Sequence, residues 1–160
     1  ASFTSFYVRV CRTRLFGSLC LVSSFPFSPF CFVYIDDIDI IDPRPGEVRV
    51  RVKYCGLCHS DLSVINSNMH PEGEMKIVGH EAAGIVDCVG AGVSHLKPGD
   101  HVVLTPAPPC GQCYYCQRNQ HSLCVNAMGI MTGTLADGET GLSRQGKKVM
   151  RGLGVAALAE

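Results

Sequence analysis

Four cysteines fall within one short window. Cys110, Cys113, Cys116 and Cys124 are separated by two, two and seven residues. Two residues between successive thiols is metal-ligand spacing, and four thiolates close a tetrahedral shell around Zn²⁺ with no position left open. A closed shell cannot activate water. It ties down a loop that has few apolar side chains of its own, so that metal-binding free energy becomes folding free energy. Pro106, Pro108 and Pro109 stiffen the entry to this lobe. Two disulfides, free thiols or a four-Cys iron–sulfur site are the alternatives that spacing leaves.

A second constellation is split between Cys55-Gly56-Leu57-Cys58-His59-Ser60-Asp61 and Gly79-His80-Glu81-Ala82-Ala83-Gly84. Cys55-x-x-Cys58 reads equally as a redox pair or as half of a closed zinc site. His80-Glu81 is not the start of a zincin helix, because Gly84 stands where His-Glu-x-x-His needs its second histidine. Taken together, however, the run Gly79-His80-Glu81-x-x-Gly84-x5-Gly90-x2-Val93 resembles the signature of zinc-dependent alcohol dehydrogenases of the medium-chain dehydrogenase/reductase superfamily. Gly56-x-Cys58-His59-Ser60-Asp61 upstream and the four-Cys lobe downstream stand in that family's order. The resemblance runs from about Val33 to Glu160.

That resemblance implies a GroES-like catalytic domain and an NAD- or NADP-linked oxidation of a small alcohol to an aldehyde or ketone, by hydride transfer from a zinc-bound alkoxide. It makes Cys58 and His80 ligands of a catalytic zinc, with Glu81 beside the metal and exchanging into its shell. Asp61 becomes the carboxylate that fixes the His80 tautomer, and Ser60 the first hydroxyl of a proton relay. A helix N-terminal acid and a helix cap are the plainer readings of these two residues. His59 is placed near the cofactor pyrophosphate, or else is a surface histidine. Many relatives carry a relay histidine five residues after the first ligand, where this chain has Ser63.

Two of the family's parts are not found. Its third catalytic ligand is a cysteine downstream of the lobe, and no cysteine follows Cys124. Gly152-Leu153-Gly154-Val155-Ala156-Ala157 fits a relaxed dinucleotide fingerprint, but Gln145–Arg151 before it is polar and the βαβ unit needs about thirty residues. The resemblance puts this tail in a strand instead. The expected assignment is therefore an N-terminal catalytic-domain fragment without a Rossmann domain. A non-catalytic zinc-binding module is the alternative, and a small redox protein using Cys55 and Cys58 is a more distant one.

The elements that must position these residues are mostly strands. Val48, Val50, Val52 and Tyr54 alternate with Arg49, Arg51 and Lys53, which predicts a half-buried antiparallel strand with an apolar core face and a cationic outer face. A short helix is expected over Ser60–Ile65, and further strands over Gly84–Gly90 and His101–Thr105, the last entered through the turn Lys97-Pro98-Gly99-Asp100. Seventeen Gly and 9 Pro fit a turn-rich, mainly β, barrel-like domain with short helices. Cys55 and Cys88 read as small buried residues, and His70, His95, His101 and His121 as surface or turn residues.

All seven Phe lie in residues 1–32, with three Arg and no acidic residue. This segment, where the family places its first β-hairpin, does not resemble the family. It reads as a stretch foreign to the fold, a targeting leader, an organelle transit peptide or ordinary structure. Fourteen basic residues balance 14 acidic ones, so no field exists to steer a polyanion, and no nucleic-acid partner is expected. No apolar run reaches the roughly 18 residues of a membrane span. A cytoplasmic location is expected, with organelle targeting through residues 1–32 as the alternative. The parent enzyme is expected to act on an alcohol or aldehyde, with a homo-oligomeric state open to it.

Overall fold

The computed structural model describes residues 7–10, 21–24, 31–34, 37–66, 75–127, 132–135 and 137–158. Its organising element is β5, Glu47–Gly56. The chain enters it through a tight turn in which Glu47 N donates to Arg44 O at 2.9 Å. Pro45 fixes the first corner of the turn, and Gly46, at φ 79°, supplies the left-handed second corner. Along β5 the side chains of Val48, Val50 and Val52 are 1%, 1% and 9% exposed, while Arg51 and Lys53 face solvent. β5 pairs antiparallel with β7, Glu81–Val89, which pairs in turn with β8, His101–Val103. On its other side β5 pairs parallel with β1, Tyr7–Val10, so the expected antiparallel strand has one parallel neighbour as well.

Tyr54 corrects the simple alternation. A register shift between Val52 and Tyr54 inserts an extra residue, and Tyr54 turns outward to 79% exposure while Cys55 packs against the core. A bulge of this kind reverses every later side chain relative to the period-two pattern. The core beneath this sheet is formed by Val48, Val50, Val52, Ala82, Val86 and Leu104, together with Val155 and Ala157 from the tail.

Two smaller sheets complete the domain. One holds β4 (Asp39–Ile40), β9 (Leu142–Arg144) and β10 (Lys147–Lys148). The other runs in the order β11 (Met150–Arg151), β6 (Lys76–Ile77), β2 (Leu21–Ser24) and β3 (Cys31–Tyr34). Among the described residues three strands thus come from the first 34, with β1 and β2 each hydrogen-bonded to strands of the later chain.

The helix α1, His59–Asn66, starts one residue earlier and ends one later than expected, and lays Val64 against Val78. The stretch before the tail is less polar in its packing than in its sequence: Lys147 and Lys148 are exposed, but Val149 and Arg151 are buried. The tail itself is a 3-10 turn over Gly152–Gly154 that follows the two-residue β11, rather than a strand through Gly152–Ala157. Among the described residues no helix is long and apolar enough to cross a membrane.

Candidate functional site

Cys58 ends the loop between β5 and α1, and His80 ends the segment between β6 and β7, so the two motifs meet where β5 and β7 lie side by side. One ligand atom each from Cys58, His80 and Glu81 lies within 4.8 Å of the others. Asp61, in the first turn of α1 and 3% exposed, sits behind them. Its Oδ2 accepts from Cys58 N at 3.2 Å, and its Oδ1 accepts from Gly79 N at 2.8 Å. Oδ1 also lies 3.2 Å from His80 Nδ1. An ionised carboxylate only accepts, so a neutral imidazole here carries its proton on Nδ1 and leaves Nε2 bare. Nε2 lies 4.0 Å from Glu81 Oε1.

Asp61 therefore occupies both positions read from the sequence: it caps the helix start and faces His80. Ser60 is exposed, with its Oγ accepting from the Cys58 thiol at 3.5 Å. His59 is exposed and is not among the clustered ligand groups, its Nδ1 3.5 Å from Ser63 Oγ. Ser63 donates back to the His59 carbonyl at 3.1 Å. Gly56 makes room for Glu81, since a Cβ there would lie 2.6 Å from Glu81 Oε2. Burial pushes the Cys55 thiol up, which keeps it protonated beside this cluster. Cys55 and Cys88 are half-buried rather than fully enclosed.

A cleft of about 560 Å³ opens over the cluster, lined by His80, Glu81, Ala82, Leu104, Thr105 and Pro106. Its rim is apolar. Tyr54, Ala83 and Val103 stand in one row across β5, β7 and β8, with Tyr54 79% and Val103 85% exposed, and Leu57 nearby in sequence is 82% exposed.

The four-Cys window folds into two 3-10 turns, Cys116–Arg118 and His121–Leu123. The four thiols gather within 4.8 Å of one another, as a tetrahedral zinc shell with sulfurs about 3.8 Å apart requires. None of them is in a disulfide. The buried centre of the lobe consists of Cys116, Cys124 and Ala127, with Cys110 and Cys113 packed around them, so the thiols stand where another domain would have a hydrophobic core.

Cys110 N donates to Cys124 Sγ at 3.3 Å. The amide of Gln112, then the Asn126 side chain and the Cys113 amide, lower the Cys110 thiol to about 6. The Cys116 amide, then that of Val125, lowers Cys113. Burial, reinforced by the neighbouring sulfurs, pushes Cys116 up to about 12. A cluster that eases ionisation of Cys110 and Cys113 and opposes that of buried Cys116 is one that a divalent cation would complete. Both constellations fit zinc by donor type: four thiols in one, and thiol, imidazole and carboxylate in the other.

The other described histidines contribute no ligand atom to either cluster. His95 and His101 are exposed, His101 on β8 rather than in a turn, and His121 is half-buried in the lobe; His70 falls outside the described residues.

Residues 44–148 match the alcohol dehydrogenase GroES-like domain. The chain belongs to this family. An NDMA-dependent alcohol dehydrogenase from Amycolatopsis methanolica is 40% identical over 112 residues, which cover 70% of this chain and 30% of that protein. The class-3 alcohol dehydrogenase of Dictyostelium discoideum is 38% identical over 128 residues, 79% of this chain and 34% of its own length. Among solved structures, the GroES-like chain is similar to an alcohol dehydrogenase zinc-binding domain protein from Burkholderia ambifaria, with a TM-score of 0.75 at 32% identity, covering 89% of this chain and 38% of that one. Benzyl alcohol dehydrogenase from Acinetobacter calcoaceticus gives 0.73 at 26% identity, covering 89% and 37%. This GroES-like domain thus spans about a third of the length of the relatives it matches.

Sequence reasoning missed Arg151 and the tail that packs beside His80. A charged residue in a polar run carries no signal of burial.

Proposed function

We propose that residues 33–160 form the catalytic-domain portion of a zinc-dependent, NAD(P)-linked alcohol dehydrogenase. In this reading Cys58 and His80 hold a catalytic zinc, with Glu81 beside it, and Cys110, Cys113, Cys116 and Cys124 hold a structural one. The convergence of Cys58, His80 and Glu81 below the cleft, with Asp61 behind His80, carries the reading. Zinc bound there would supply Lewis acidity, lowering the pKa of an alcohol so that it loses its proton near neutral pH.

The chain's own groups do the rest. Asp61 holds the His80 ring with Nε2 toward the cleft. Ser60 beside Cys58 is the first hydroxyl through which a proton leaves, and exposed His59 lies where a cofactor pyrophosphate would come. Ala82, Leu104 and Pro106 in the cleft give an alcohol's carbon chain an apolar surface to lie against. Hydride transfer also needs a nicotinamide held within roughly 3–3.5 Å of the reacting carbon. The reading assigns that task to a cofactor-binding segment in the additional length of the relatives.

The test is an assay of a protein of full family length containing these residues, with ethanol, longer primary alcohols and an aldehyde, with NAD and NADP. Turnover is expected, and its loss in His80→Ala. The 160-residue chain alone is expected to show none. No turnover in zinc-replete full-length protein, or turnover unaffected by His80→Ala, would leave only a zinc-binding module.

A further inference from the structure

Among the described residues Arg151 is the largest side chain buried to below 2% exposure. On β11 it stands opposite Ile77, two residues before Gly79. The chain then loops away and comes back to the same segment: Ala157 N donates to Gly79 O at 2.9 Å, and Leu158 N to Val78 O at 3.0 Å. Residues 152–156 therefore form a loop closed at both ends on the stretch that leads into His80.

This loop turns on left-handed residues, Leu153 at φ 50°, Gly154 at 81° and Ala156 at 63°. Two of the three carry a Cβ, and such residues keep this conformation only where their surroundings impose it. The Arg151 guanidinium supplies part of that constraint. Its Nη1 donates to the carbonyls of Gly154 (3.5 Å) and Val155 (3.4 Å), and its Nε donates to Thr140 O at 2.9 Å. At the far end the fit leaves no slack, because a Cβ on Gly79 would lie 2.5 Å from Leu158 N. Gly79 is thus held by the tail through its carbonyl. Through its N–H it reaches the same Asp61 oxygen that faces His80 Nδ1.

We propose that Arg151 is a positioning residue for His80: by pinning loop 152–156 it sets Gly79, and through it the Asp61–His80 contact that leaves Nε2 bare toward Cys58 and Glu81. Its functional meaning rests on the reading of Cys58 and His80 as a metal-holding pair, while the contacts from Arg151 to His80 involve protein atoms alone.

The experiment reads the His80 tautomer by long-range ¹H–¹⁵N NMR on the 160-residue chain with one equivalent of zinc. It is run at pH 9, where imidazoles are neutral, with the His80 signals assigned by their loss in His80→Asn. The unsubstituted chain is expected to carry the proton on Nδ1. Arg151→Gln mixes the two tautomers, and Arg151→Lys, which keeps a donor, restores part of the preference. Val86→Ala, in the core of the other sheet, lowers stability without moving the tautomer. An unchanged tautomer in Arg151→Gln, or the same mixing in Val86→Ala, overturns the proposal.

If the Arg151 variants do not fold, native-state hydrogen exchange on the unsubstituted chain decides. The Gly79, Ala157 and Leu158 amides are expected to share one opening event, and a Gly79 amide that stays protected while the tail exchanges overturns the proposal. Failure of alcohol oxidation in the full-length protein would sink the functional reading and leave these outcomes standing.

Discussion

Asp61 holds two backbone donors and faces an imidazole while nearly closed off from water. Removing its carboxylate in Asp61→Ala leaves the Gly79 and Cys58 amides without their acceptor. An unsatisfied buried donor costs about 1–3 kcal/mol, so the zinc-loaded chain should lose stability on that order in urea unfolding, with Asp61→Asn milder because it keeps an acceptor. An unchanged unfolding midpoint in Asp61→Ala would show that water replaces the carboxylate. This residue was legible in the sequence because it stands at a fixed distance from Cys58 and at the start of a helix. Tyr54 was not, since a one-residue bulge changes the face of a side chain without any signature in residue type. Arg151 was hidden for another reason: hydrophobic patterning treats every arginine as surface, and only tertiary partners for its donors make burial tolerable.

The four-Cys lobe and the β5–β7 sheet are separate packing units. Val48, Val50 and Val86 belong to one buried cluster, and the cysteines to another that contains one apolar side chain, Ala127. The lobe should therefore depend on metal and the sheet should not. Chelation, or Cys113→Ser, is expected to speed amide exchange across residues 110–127 while amides of β5 and β7 stay protected; simultaneous loss of protection in both would refute the separation. The β7–β8 connection makes a different prediction. The Lys97 amide and ammonium hold the Asp100 carboxyl below its usual range. A carboxyl depressed in the folded state stabilises it above the ordinary aspartate value, and that contribution is lost as pH falls through the lower folded value. A ¹³C titration of Asp100 should accordingly have its midpoint below 3.8, and a midpoint at or above it would contradict the contact. Helix α1 and strands β5 and β7 were readable because apolar period and turn residues agree locally. The parallel pairing of β1 with β5 was not, because a non-local partner leaves no mark in either strand's own pattern.

For the molecule as a whole, 14 positive and 14 negative residues give a formal charge of zero and an isoelectric point near 7.1. Charge repulsion between copies is then weakest at neutral pH. The same molecules carry the outward row Tyr54, Ala83 and Val103, where the bulge in β5 has put an aromatic ring beside an uncovered valine. Two weakly repelling copies have sticky surface to offer each other. Light scattering on the reduced, metal-free chain should therefore give its most negative second virial coefficient near pH 7, becoming more positive two units to the alkaline side. Tyr54→Lys should flatten that dependence by adding charge where the apolar row stands; a coefficient indifferent to both changes would place the attraction elsewhere. One inserted residue in one strand would then set the colloidal behaviour of the whole chain.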